Sequence, residues 1–273
     1  MKSVSQREIV YSLLFGSSHT TLIAAHIARS VEGERANLAL RKPLQEENRF
    51  QIVGSARVSN HGAIKKGIVS GIDALTHSIL EAVDELERQV GFEVTSVNCG
   101  ISGPQVFFEN HLEKIKIEKT EIEEKDLEKL NQCARFLPVP ENYECIHMIP
   151  GMYSVDDRHG IHNPIGMIGK ELSLMFHRVF FPKADLHSIL KSCHNSGLHV
   201  DKFIYMPIAA AEGSLSYEEK EYGCVSICIG SQLTHIAVYF ANVPIYTKVI
   251  PVGSHHITRD ISIGLHTTHS EAE

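Results

Sequence analysis

Two copies of one local pattern constrain this 273-residue chain more than any other feature. Near the start, an apolar run at residues 9–15 meets Gly16-Ser17-Ser18-His19, and a second β-rich run at residues 20–27 follows at once. Downstream, runs at 225–229 and 233–240 flank Gly230-Ser231-Gln232, and Ala241-Asn242 leads to a third run at 245–251. Each copy reads as strand, tight polar turn, strand, and the second continues as an antiparallel meander. A fold for this chain must place both hairpins in sheets.

Between the hairpins, the spacing of Ile72, Leu75, Ile79, Ala82, Val83, Leu86 and Val90 puts one apolar stripe on a helix, which Gly91 stops. Residues 30–48 are polar and charged, and are expected to loop over the surface. Strands are expected at 50–58, 94–101 and 200–205, and helices at 184–196, 209–215 and from 257. Residues 105–180 differ in character. Lys and Glu crowd 113–129, Thr120-x-x-Glu123 fits a capping box for a helix toward Phe136, and short β-like pieces follow at 146–149 and 172–181. The charge run reads as the solvated face of that helix, and the whole segment as a small α+β unit set into a larger domain. Residues 270–273 read as the middle of a helix with neither cap nor breaker, so the chain is expected to stop short of a complete fold.

Composition removes several classes. A chain this long buries roughly 70–75% of its unfolded surface and needs no staples. Lys and Arg total 26 against 33 Asp and Glu, and the net charge of −7 argues against a nucleic-acid partner. The six cysteines are scattered without a C-x-x-C pair, which reads as a reducing cytosol. Cys224 and Cys228 would lie about 13 Å apart along a strand, too far for a disulfide, and are expected as buried core thiols. Of the 17 histidines, His266 and His269 share a helix face without a third ligand, so no metal set is assigned. There is no signal-peptide core and no stretch of about 18 apolar residues, hence no direct membrane segment in this chain.

Specific strings carry a resemblance. They are Gly62-Ala63-Ile64-Lys65-Lys66-Gly67-Ile68-Val69; Gly100-Ile101-Ser102-Gly103; His147-Met148-Ile149-Pro150-Gly151-Met152-Tyr153-Ser154-Val155-Asp156; Ile161-His162-Asn163-Pro164-Ile165-Gly166-Met167-Ile168-Gly169; Gly197-Leu198-His199-Val200-Asp201; and Val249-Ile250-Pro251-Val252-Gly253 with Thr258-x-Asp260-Ile261. In this order they resemble FtsA, the actin-like family of bacterial cell division, from about residue 9 to the last. The resemblance implies an α/β, actin-like (ribonuclease H-like) domain with an inserted small α+β subdomain and an incomplete second domain. The implied division is 1–101 for the first part of the actin-like subdomain, 102–179 for the FtsA-specific insert, 180–205 for the return, and 206–273 for the second domain.

It further implies ATP and Mg²⁺ held between the two hairpins, with FtsZ, other division proteins and self-association as partners, at the inner face of the cell membrane at the division site. At the turns this chain departs from the family. Leu14 stands where the first hairpin carries an acidic residue, and Cys228 and His235 stand where the second carries aspartates. Ser231 and Gln232 replace two glycines. Gly16, Ser17, Ser18 and Gly230 survive and read either as part of a residual anion nest, with Ser231 as a further nucleotide-binding candidate, or as ordinary hairpin turns; Gly253 would approach the adenosine of a bound nucleotide and is otherwise a strand-to-helix turn. The expectation is a non-enzymatic division scaffold with weak or lost nucleotide binding. The alternatives are an ATP-binding FtsA whose C-terminal third is absent from this chain, and a non-functional truncated product.

Overall fold

The computed structural model describes residues 7–28, 50–119 and 121–273. The expected loop at 30–48 and the proposed cap Thr120 lie outside them. The first sheet holds five strands in the order β11-β6-β1-β2-β3: β1 (Arg7–Phe15), β2 (His19–Ala28), β3 (Phe50–Ser59), β6 (Ser96–Ile101) and β11 (His199–Tyr205). The small hairpin β4 (Ile64–Lys65) with β5 (Ile68–Val69) precedes α1 (Ile72–Val90). β1, β2 and β3 pair antiparallel, whereas β6 runs parallel to β1 and β11 parallel to β6.

α1 buries Leu75, Ile79, Ala82, Val83 and Leu86, all members of the expected stripe, and ends at Gly91 in the left-handed conformation (φ 73°). These residues join Leu13, Leu22, Val97 and Cys99 in the main core. Each fully buried Leu or Ile contributes about 1.5–3 kcal/mol through removal from water. Against α1 lies α3 (Lys183–Asn195), where Ser192 and Ser196 donate to the carbonyls of Ile72 and Thr76.

The insert is a second sheet, ordered β7-β10-β8-β9, made of β7 (Phe107–Lys116), β8 (Tyr143–Val155), β9 (Arg158–Ile161) and β10 (Glu171–Pro182), with α2 (Glu124–Arg135) as its helix. Its core gathers Ile122, Leu127, Leu130, Tyr153, Val155, Leu172, Leu174 and Phe176. β8 runs through 13 residues, longer than the expected piece at 146–149. Pro150 and Gly151 look like breakers, but a register shift between Leu174 and Phe176 of β10 lets the strand bulge there and continue. The start of α2 also differs from the expected box. Glu123 is the N-cap, not N3, and the Asp126 carboxylate accepts from its N–H at 2.9 Å. Lys119 and Lys125 hold the Glu123 carboxyl down at about 2.

The third sheet is the expected meander: β12 (Cys224–Ile229), β13 (Thr234–Phe240) and β14 (Val243–Ile250). α4 (Met206–Ser214) packs on it through Ala211, which meets Ala237 and Tyr239. α5 (Tyr217–Tyr222) was not foreseen, although Ser216-x-x-Glu219 is a capping box at its start. β12 pairs only with β13 among the described residues, and Val225, Ile227 and Ile229 on it are exposed. Cys228 is exposed for the same reason, and Cys224 is half-buried, which corrects the expected core thiols; the buried pair is Cys99 and Cys193, with sulfurs 3.9 Å apart. The chain's last helix also differs from the expected one. α6 (Ser254–Gly264) ends before His266 turns left-handed (φ 51°), and a separate α7 (His269–Ala272) starts with its own cap at Thr268.

The strings quoted from the sequence meet in pairs. A Cβ at Gly67 (φ 78°) would lie 2.6 Å from the Ser102 carbonyl oxygen, so the first string presses its glycine onto the second. Asp156 (φ 51°) receives the N–H groups of Lys170 and Glu171, both at 2.9 Å, while a Cβ at Gly169 would strike Val155 at 2.3 Å. His147 Nε2 accepts from the Tyr205 N–H at 2.9 Å and ties β8 to the end of β11.

Candidate functional site

The two hairpin turns have the same construction. The Gly16 N–H donates to the His19 carbonyl at 2.9 Å, and the Gly230 N–H to the Leu233 carbonyl at 2.8 Å. Each closes a two-residue loop, Ser17-Ser18 in one and Ser231-Gln232 in the other. A Cβ at either glycine would sit 3.0 or 3.1 Å from the closing carbonyl oxygen, tighter than an ordinary contact.

The fold brings these loops face to face. Ser18 Oγ donates to Ser231 Oγ at 3.4 Å across 213 residues of sequence. Gln232 Oε1 accepts from the Lys66 N–H at 2.8 Å, so its side chain bridges the meander to the β4–β5 hairpin. Asn60 steadies the first turn: its side chain donates to the Gly16 carbonyl at 2.6 Å and its N–H to the Ser18 carbonyl at 3.1 Å. Gly253 completes the group. A Cβ there would lie 2.2 Å from the Gly230 oxygen and 2.6 Å from the Ser231 oxygen. The first N–H groups of α6, from Ser254 and His255, donate to those two carbonyls at 2.9 Å each. All six residues singled out from the sequence (Gly16, Ser17, Ser18, Gly230, Ser231 and Gly253) therefore fall in one cluster of turns. Asn60, Lys66 and Gln232 are the partners that sequence reasoning did not assign. Their contacts span up to 166 residues and leave no local signature.

Below the turns the chemistry is neutral. Leu14 pairs in parallel register with Gly100, and a Cβ on Gly100 would meet Leu14 Cδ2 at 2.5 Å and Met206 Sδ at 2.6 Å, so the floor is apolar and filled. Cys228 and His235 are register partners on β12 and β13. Among the described residues both ring nitrogens of His235 are buried without a hydrogen-bond partner, and burial lowers its pKa, favouring the neutral ring. Mg²⁺ requires hard oxygen ligands and retained water; leucine, thiol and neutral imidazole supply no carboxylate at these three positions. The turns offer backbone and hydroxyl groups suited to an anion, and nothing at these positions to hold its metal.

Two β-hairpins with facing turns on an α/β frame, one of them followed by a helix that starts against its turn, define an actin-like fold. The PilM–PilN type IV pilus biogenesis complex superposes with a TM-score of 0.59 at 15% identity, covering 99% of this chain and 68% of that one. The ethanolamine utilization protein EutJ from Carboxydothermus hydrogenoformans gives 0.51 at 13%, covering 97% and 60%. These likenesses concern fold.

Sequence comparison goes further. Residues 103–180 match the family model described as the SHS2 domain inserted in FtsA, and residues 225–273 match that of the cell division protein FtsA. The chain is 30% identical over 272 residues to the cell division protein FtsA of Bacillus subtilis, spanning 99% of this chain and 58% of that protein. It is 28% identical over 222 residues to that of Escherichia coli K12, spanning 81% and 53%. Along nearly all of its length the chain is similar to FtsA cell division proteins, and two segments match models of that family. It spans a little over half the length of these curated relatives. Among the described residues no helix is long and apolar enough to cross a membrane.

Proposed function

We propose that this chain serves the division septum as a non-enzymatic, actin-like scaffold. Its surfaces join FtsZ and later division proteins at the inner face of the membrane, and nucleotide binding is weak or lost. The proposed units are 1–101 with 180–205, the insert 102–179, and 206–273. The observation that carries this reading is that the two turns touch and that Leu14, Cys228 and His235 put no carboxylate at the three positions beside them. Gln232 is already engaged with Lys66, Ser18 is in contact with Ser231, and Leu14, Cys228 and His235 leave Mg²⁺ without ligands.

Isothermal titration with MgATP tests it. No heat of binding is expected at micromolar nucleotide, and a micromolar Kd would overturn the proposal. A second reading rests on the same turns. The close approaches at Gly16, Gly230 and Gly253 are intact, as a nucleotide-binding member of the family would need. On that reading Gly16, Ser17, Ser18, Gly230 and Ser231 line the phosphates, Gly253 approaches the adenosine, and the titration returns a Kd in the micromolar range.

A further inference from the structure

Away from the facing turns, a separate cluster sits where the turn after β3 meets α1. Residues Asn60-His61-Gly62-Ala63 form a tight turn closed by the Ala63 N–H to the Asn60 carbonyl at 2.8 Å. Both central residues are left-handed, His61 at φ 49° and Gly62 at φ 74°. Glycine adopts that region freely. A histidine there is uncommon and carries a conformational cost, which calls for a reason in what the side chain does.

Its ring points to α1. His61 Nε2 lies 3.4 Å from Glu81 Oε2, and His77 Nε2 lies 3.2 Å from Glu81 Oε1. His77 and Glu81 are four residues apart, so one helix face presents both. The three ligand atoms all lie within 4.8 Å of one another. Around a tetrahedral Zn²⁺ with bonds of about 2.0–2.1 Å, adjacent ligand atoms stand about 3.3 Å apart. Each imidazole already stands near that spacing from one Glu81 oxygen, but the two use different oxygens, so a metal held by a single oxygen requires the exposed rings to turn inward.

We infer that His61, His77 and Glu81 form a surface site for a divalent transition metal of zinc's class, with a water in the remaining position. Two imidazoles and one carboxylate are the donor set such ions accept, whereas Mg²⁺ and Ca²⁺ require oxygen throughout. Bound metal would fasten the 60–63 turn to α1. Asn60 of that turn holds the carbonyls of Gly16 and Ser18, so the ion would also steady the first of the two facing turns.

Titration of the 273-residue chain with Co²⁺, read by visible ligand-field absorption and by displacement with Zn²⁺, tests this. One tight Co²⁺ per chain is expected, displaced by Zn²⁺. His61→Asn keeps the left-handed turn, since asparagine tolerates it, and should weaken binding at least tenfold, as should Glu81→Gln. His255→Ala removes the other close histidine contact, His255 with His269 at 3.0 Å, and should leave the Kd unchanged. Absence of one-to-one binding, an unchanged Kd in both His61→Asn and Glu81→Gln, or loss of binding in His255→Ala would each overturn the inference.

Discussion

His177 makes the stability of this protein depend on acid in a way that can be worked from its surroundings. The ring is 1% exposed and sits where β10 of the insert meets β14. Nδ1 faces Asn110 Oδ1 at 2.7 Å, and Nε2 faces Thr247 Oγ1 at 3.2 Å. Phe108 stacks on the ring, and Asn110 donates in turn to the Ile245 carbonyl at 2.8 Å. Among the described residues no carboxylate partners the ring; burial, with a smaller contribution from His147, lowers its pKa to about 4.

An unfolded histidine titrates near 6.5. The stability this neutral ring supports is therefore fully present above about pH 6.5. It falls as the pH drops toward 4, because the unfolded chain takes up a proton that the folded chain refuses. Across the whole window the difference is about 3 kcal/mol, and by pH 5 about 2 kcal/mol has been lost. His177→Gln keeps polar atoms for Asn110 and Thr247 but cannot titrate. Urea unfolding at pH 7 and pH 5 should show the parent chain losing about 2 kcal/mol more than the variant over that interval. Equal losses in the two proteins would refute the reasoning, since the acid sensitivity would then arise elsewhere.

Gly253→Ala should lower stability by about 1–3 kcal/mol, because its Cβ meets two backbone oxygens that cannot move aside without opening the second turn; a thermal midpoint unchanged within a degree would contradict this. Asp156→Ala should speed amide hydrogen exchange at Lys170 and Glu171, whose N–H groups it accepts, while exchange in α1 stays as it was. In the folded protein a thiol reagent should label exposed Cys228 first and leave Cys99 and Cys193 until unfolding; early labelling of Cys99 would show the main core to be more open than described.

Local patterns carried most of the fold. The α1 stripe, the Gly91 stop, the hairpins and the meander were legible because periodicity and turn chemistry are properties of adjacent residues. Thr120 and Glu123 predict the start of α2 because S/T-x-x-E is the commoner box, but Glu123 and Asp126 form the capping pair. The sequence predicts a shorter β8 because Pro150 and Gly151 usually end strands, and nothing local announces the bulge that absorbs them.

The candidate site divides in the same way. By itself the sequence determined which side chains occupy the two turns, and with Leu14, Cys228 and His235 it determined that these positions offer Mg²⁺ no carboxylate. That follows from residue identity and needs no coordinates. Only the tertiary structure decided that Ser18 meets Ser231, that Gln232 reaches Lys66, and that His61 joins His77 and Glu81. Those contacts depend on how sheets and helices pack over separations of up to 213 residues. Packing of that kind is set by the buried faces of whole elements, and no spacing of residues along the chain encodes it.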